Sequence, residues 1–283
     1  WCKKMEKRDD CIHIHTDYRD VPVSWLGQAL IASAEAMKLV DEKMYRWVWL
    51  GQAVGVDELI YYMFSDRHRQ KPDPDRRYDR IYIGGDYGQQ NATTFEAFGL
   101  DTYRKKFPGL GEYYHSGRES GRQKSPSEYA RDLVEFMDEL HEQYENRIFY
   151  IFLDPSAKGL AEEVKRATRT GLDYQVLLRD AENDVALGIS RVQKALVFDI
   201  MSISPKQEYA VQEFGTYEYD KKSIEKGKEV PVKEADHCMD AIRYVVMGAW
   251  SKIKHWLPKD ETPEEIDICD ISSREVREED EYL

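Results

Sequence analysis

Cysteine is scarce in this chain: four in 283 residues, at Cys2, Cys11, Cys238 and Cys269, with no Cys-x-x-Cys pair. That pattern argues against a disulfide scaffold or a zinc knuckle and suits a reducing compartment. No apolar run is long enough to cross a bilayer and no signal peptide is evident, so a membrane is not an expected partner. No Gly-x-x-x-x-Gly-Lys-Ser/Thr phosphate loop occurs anywhere. An initiator methionine is missing too: the chain opens Trp1-Cys2-Lys3, and we expect it to be a fragment of a longer polypeptide.

Positive charge is also in short supply. The net charge of −13 argues at first against a nucleic-acid partner. Its distribution weakens that argument. Pro258 to Leu283 holds eleven acids against three bases, so this tail supplies −8 and the remainder about −5. Tyr103–Lys124, by contrast, carries six bases (Arg104, Lys105, Lys106, Arg118, Arg122, Lys124) against Glu112 and Glu119. A locally basic surface on an acidic protein can still meet DNA. Lys221, Lys222 and the bases up to Lys228 form a second such stretch.

Three regions are expected. Residues 1–70 read as a small, mostly helical leader with a charged, proline-containing linker over 65–79. A helix is expected from Ser24, as N-cap, to about Trp49. Cys11, His13 and His15 fall on one face of a short alternating stretch, and without a fourth ligand we read them as structural. Residues 71–257 read as one α/β domain and 258–283 as an acidic, flexible tail. Within the domain, Arg80–Asp86, Ala92–Leu100 and Gly111–His115 are expected as a three-strand meander. Ser125 and Pro126 then open a long amphipathic helix to about Asn146. Helices and strands alternate afterwards: strand Arg147–Asp154, helix Ser156–Arg169, strand Tyr174–Leu178, helix Asn183–Leu196, a weak strand Leu196–Ile200 and helix Pro205–Phe214. A hairpin over Gly215–Pro231 and a last helix to about Lys254 complete the domain. Such an order implies a mixed sheet covered by helices.

Chemistry concentrates on three acids. Asp86 ends the strand in RIYIGGDYGQQ, where Gly84, Gly85 and Gly88 leave room for a phosphate or a metal to approach. Asp154 ends the apolar run RIFYIFLD, and by itself would serve equally as a helix cap. Asp240 lies in DHCMDAIRYVVMGAW, an apolar helix with His237 one turn earlier. An acid at a buried strand end is costly unless something positive binds it. Two acids on strands and one on a helix therefore point to a divalent-metal site. Hard oxygen donors favour magnesium or manganese, and phosphodiester hydrolysis uses such ions in pairs about 3.5–4 Å apart. A different reading takes IGGDYGQQNATT as the first phosphate loop of an actin- or sugar-kinase-like ATPase. That fold needs a second Asp-x-Gly loop and a later Gly-Gly motif, and neither is evident downstream.

The order YIGGDYG, IFLDPSA, DHCMDAIRY resembles the nuclease domain of the large terminase subunit of tailed double-stranded DNA phages, over about residues 80–254. The resemblance implies a ribonuclease H-like fold and a metal-dependent endonuclease that cuts concatemeric DNA with two ions, Mg2+ or Mn2+. It implies Asp86, Asp154 and Asp240 as metal ligands, with His237 tuning the site; Asp236 is either an outer-shell acid or the helix N-cap, and we read it as the cap. Arg104, Lys105, Arg118, Arg122, Lys124, Lys221 and Lys222 are the expected DNA contacts. The implied partners are double-stranded DNA, the portal and procapsid, and the small terminase subunit, all in the host cytoplasm. The leader resembles the end of the packaging ATPase, whose motor activity this chain lacks for want of a phosphate loop. A junction resolvase or transposase nuclease shares the fold but accounts less well for DHCMDAIRY.

Overall fold

A computed structural model describes residues 10, 14–40, 45–46, 49–51, 59–88, 92–225, 229–233 and 236–258. Two compact units emerge, the larger being Val56–Leu257. The expected tail from residue 259 lies outside the described residues, as do Cys11 and His13.

In the smaller unit, the single helix expected from Ser24 is two. Helix α1 (Val23–Leu26) stops at Gly27, whose φ of +75° is left-handed backbone, and α2 (Gln28–Val40) follows. Pro22, not Ser24, takes the N-cap position. A small core of Ala34, Tyr45 and Leu50 is closed by Tyr18 and Trp49, with the two tyrosine hydroxyls 2.9 Å apart.

The larger unit is built on a six-stranded sheet of order β5-β4-β1-β2-β3-β6. Its strands are β1 (Arg80–Asp86), β2 (Ala92–Leu100), β3 (Phe107–Ser116), β4 (Ile148–Leu153), β5 (Gln175–Asp180) and β6 (Met201–Ser202). The first three form an antiparallel meander, whereas β4 lies parallel to β1 and β5 parallel to β4. The weak strand expected at Leu196–Ile200 is instead the end of a helix at Val197 and the turn after it, and the pairing residues follow at Met201–Ser202.

Alternation along β1 sorts the two faces. Ile81 and Ile83 join Phe95, Phe149 and Ile151 under α4 (Pro126–Tyr144) and α5 (Lys158–Ala167). Helix α4 follows the short α3 (Gly117–Ser120) and begins with a capping box, Ser125 and Glu128 bonding each other's backbone N–H behind Pro126. Tyr82 faces the opposite layer with Phe98, Phe107 and Phe152. That layer holds α6 (Val185–Val197), α7 (Glu208–Phe214) and, after the short α8 (Lys221–Glu225), the long α9 (His237–Ile253). Both faces being covered, every residue of β2 is buried, Glu96 included.

Two expectations change here. Ile60 and Tyr61 pack into the α9-side core, and buried His68 hydrogen-bonds the Leu196 carbonyl at 3.0 Å, so residues 59–79 are part of the larger unit rather than a free linker. The glycines before Asp86 are not open space either. A Cβ on Gly84 would fall 2.0 Å from the Ala241 carbonyl oxygen of α9, and one on Gly85 would fall 2.5 Å from Leu153 Cδ2. Gly84 exists to admit the helix backbone.

Candidate active site

Parallel pairing sets Gly85 opposite Leu153, so the next residues, Asp86 and Asp154, leave one end of adjacent strands together. Helix α9 lies over β1 on the Gly84 seat and brings its first turn to the same end. His237 Nδ1 is 2.7 Å from Asp86 Oδ2. Three residues on, Asp240 shares that helix face.

Each of the three acids has one partner on α9. Asp154 Oδ2 accepts hydrogen bonds from Tyr244 Oη at 3.0 Å and Asn183 Nδ2 at 2.8 Å, while its Oδ1 accepts the Ser156 N–H at 2.7 Å. That last bond is a turn, not a helix cap: α5 starts behind Ala157 with no side-chain cap. Asp240 Oδ1 accepts from Arg243 Nη2 at 2.5 Å, and its Oδ2 lies 3.1 Å from Lys233 Nζ. Arg243 is wholly buried.

These surroundings push the acids apart electrostatically. Burial raises the Asp86 pKa; the His237 hydrogen bond opposes this, and the charges of Asp240 and Asp236 add to the rise. Asp154 is held below the usual range, because bonds from Ser156 and Tyr244 and the Arg243 charge outweigh its partial burial. His237 is raised by its bond to Asp86 against the cost of burial. A strand-end carboxylate destabilised by burial and by like charge is one that a cation would satisfy. The donors are hard oxygens, the chemistry that suits magnesium or manganese.

Asp236 occupies the N-cap position of α9 but its side chain makes no capping bond. The cap is Glu213, from α7: its Oε2 accepts the N–H groups of Cys238 at 2.8 Å and Met239 at 3.1 Å. Burial lifts the Glu213 carboxyl to about 7, despite those bonds and the nearby His237 charge. Behind it sit Glu96, Glu112 and Cys238, whose donor atoms all lie within 4.8 Å of one another, as those of Asp86, Asp154 and Asp240 do not. Glu96 is bound by Gln207 at 2.7 Å, and Glu112 accepts the Tyr209 and Ala210 N–H groups at the start of α7. Glu112 thus caps α7, and Glu96 is held by the Gln207 and Thr94 side chains.

The basic residues divide. Arg118 and Arg122 are exposed beyond the end of β3, at the sheet end that carries Asp86; Arg122 pairs with Glu128 at 2.5 Å. Lys124 is half-buried and committed to Asp132 at 2.6 Å and Tyr113 Oη at 3.2 Å. Arg104 and Lys105 lie in the turn after Leu100, which pairs with Arg80 at the opposite end of the sheet. Six strand positions separate them from Asp86, roughly 20 Å, so they are not brought to the site. Lys222 is exposed on α8, in the connection to α9, and Lys221 begins that helix.

Arg243 carries no expected role in the sequence, and Tyr244, expected on the apolar face that packs α9 on the sheet, also bonds Asp154 through its hydroxyl. Their spacing from Asp240, three and four residues, was the available signal. Asn183, Glu213 and Lys233 reach the site only through tertiary packing, and no local pattern marks them.

No family model matches this sequence, and no curated protein does. Among solved structures, the sheet and its helices define the ribonuclease H-like class. The nuclease domain of the P22 large terminase superposes with a TM-score of 0.51 at 17% identity, covering 68% of this chain and 92% of that one, a likeness of fold. The large terminase of the thermophilic bacteriophage D6E matches with a TM-score of 0.65 at 28% identity in its ADP complex, over 87% of this chain and 57% of that one. A second crystal form gives the same score at 29% identity. The chain is thus similar to large terminase subunits of phages. It spans less than two thirds of the D6E protein it matches.

Proposed function

We propose that the larger unit is the DNA-cutting part of a packaging terminase, a metal-dependent endonuclease acting on concatemeric double-stranded DNA. The observation that carries this reading is the convergence of Asp86, Asp154 and α9 at one sheet end, with each acid held by a partner on that helix. Asp86, Asp154 and Asp240 would hold two divalent ions, Mg2+ or Mn2+, which supply Lewis-acid stabilisation of charge at the scissile phosphate. The remaining roles belong to the chain. Tyr244, Asn183 and the Ser156 N–H fix the Asp154 carboxylate, and Arg243 fixes one oxygen of Asp240. His237 is anchored through Nδ1 on Asp86, which leaves Nε2 as the atom able to exchange a proton with solvent or the leaving group. Exposed Arg118 and Arg122 would grip phosphates, a contact indifferent to sequence.

In the same proposal, residues 1–55 are the end of the packaging-ATPase region, the boundary expected at residue 70 moving back because residues 59–70 pack with the larger unit, and 258–283 are an acidic tail. The portal, the procapsid and the small terminase subunit are the expected partners, in the cytoplasm of the infected cell. A resolvase or transposase nuclease would share the fold, but the D6E likeness extends over 87% of the chain, beyond the nuclease unit. The test is plasmid cleavage with manganese, comparing the parent with Asp86→Ala. Metal-dependent nicking and linearisation by the parent alone supports the proposal. Nucleotide hydrolysis without cutting would return the kinase-like reading.

A further inference from the structure

Asp240 is shared by two cations of different standing. Arg243 reaches Oδ1 at 2.5 Å from the next turn of α9 and is entirely buried, so it cannot leave without opening the core. Lys233 lies outside the helix, at the end of the connection that follows α8, with its side chain 62% exposed. Its Nζ lies 3.1 Å from Asp240 Oδ2 and also 3.1 Å from Asp236 Oδ2. Oδ2 is thus the oxygen that Arg243 leaves for another cation, and the Lys233 ammonium is on it.

An ammonium and a divalent ion cannot both lie against one carboxylate oxygen at contact distance without strong mutual repulsion. Arg243 is fixed, so the mobile partner is the one that gives way. Withdrawing Lys233 breaks two ion pairs whose carboxylates are buried but whose ammonium is exposed, so the lysine can exchange its acids for water without opening the core.

On the nuclease reading above, we propose that Lys233 competes with the divalent metal for Asp240 and so sets the metal concentration at which the site fills. Until the metal arrives, the lysine neutralises Asp236 and Asp240 and keeps the first turn of α9 from repelling Asp86. When the metal binds, the lysine side chain swings toward solvent, where its charge is free to meet the DNA backbone.

The experiment is a calorimetric titration of manganese into the full chain, without DNA, for the parent, Lys233→Met and Lys233→Arg. Because the side chain is mostly exposed, both variants should fold. The Met variant should bind manganese at least roughly 3–10-fold more tightly, since two surface ion pairs set the lower bound for pairs whose carboxylates are buried, and the Arg variant should stay near the parent. In cleavage, the half-maximal manganese concentration of the Met variant should fall by a similar factor. Equal or weaker binding by the Met variant, with the parent still binding metal, overturns the Lys233 assignment and leaves the metal site standing. Unchanged manganese affinity with lost DNA affinity would make Lys233 a phosphate contact instead. No binding by any of the three removes the metal site and this proposal together.

Discussion

Replacing Gly84 by alanine tests how the site is assembled. The added methyl would stand 2.0 Å from the Ala241 carbonyl oxygen and 2.8 Å from Val245 Cγ2. Real contacts of this kind need more than 3 Å, and the first obstacle is helix backbone rather than a side chain that can turn away. Helix α9 must therefore retreat by about 1 Å, the scale at which a misplaced catalytic group costs on the order of 100-fold in rate. Overpacking of this sort costs about 1–3 kcal/mol, or roughly 2–12 °C of melting temperature for a unit of this size. Gly85→Ala is the control, since its methyl meets the side chains of Leu153 and Phe95, which can shift. Thermal unfolding and plasmid cleavage of both variants, side by side, give the comparison. Parent-like cleavage by Gly84→Ala would refute the claim that this glycine seats α9 over the acids.

The remaining expectations concern charge. Asp240→Asn should lose most manganese affinity and nearly all cutting, whereas His237→Ala should still bind metal and cut about 10–100-fold more slowly; calorimetry beside cleavage separates the two. Asp86→Ala should abolish cutting and, in metal-free protein, leave stability equal or higher, because burial and the charges of Asp240 and Asp236 disfavour that carboxylate; a urea titration reads this. The Glu213 carboxyl is raised to about 7 from 4.5, so its contribution is fully present below pH 4.5 and is lost as pH rises through about 7. Relative to the non-titrating Glu213→Gln, the parent should lose about 3 kcal/mol across that window; a gap independent of pH would contradict it. Charge reversal of Arg118 and Arg122 should weaken DNA binding and flatten its salt dependence by roughly one unit of slope for each phosphate no longer neutralised; an unchanged slope would assign them to a solvated surface.

The strands were legible because their signal is local. Ile81 and Ile83 alternate toward one layer of helices, and RIFYIFLD is apolar throughout because both faces of β4 are covered. Helix α4 announced itself through Ser125 and Pro126. What the chain concealed depends on distance. Thr94 and Glu96 look like the polar side of a half-exposed strand, yet they point into the α9 layer, where Glu96 is fully buried. The Gly84–Gly85 pair looked like room for a ligand, and only the packing of α9 reveals a helix seat. Asp236 satisfied every local rule for a cap, and a glutamate 23 residues earlier took the role. The basic stretch Tyr103–Lys124 is contiguous in sequence but spans a whole strand, so Arg104 and Arg118 lie at opposite strand ends of the sheet. Charge clustering along a chain predicts a surface patch only where no strand intervenes.

The most direct measurement is anomalous diffraction at the manganese edge from crystals of this chain grown with the metal. The account predicts two peaks, about 3.5–4 Å apart, among Asp86, Asp154 and Asp240, with Lys233 withdrawn from Asp240. A peak among Glu96, Glu112 and Cys238, or none near Asp86 under conditions that support cleavage, would contradict it.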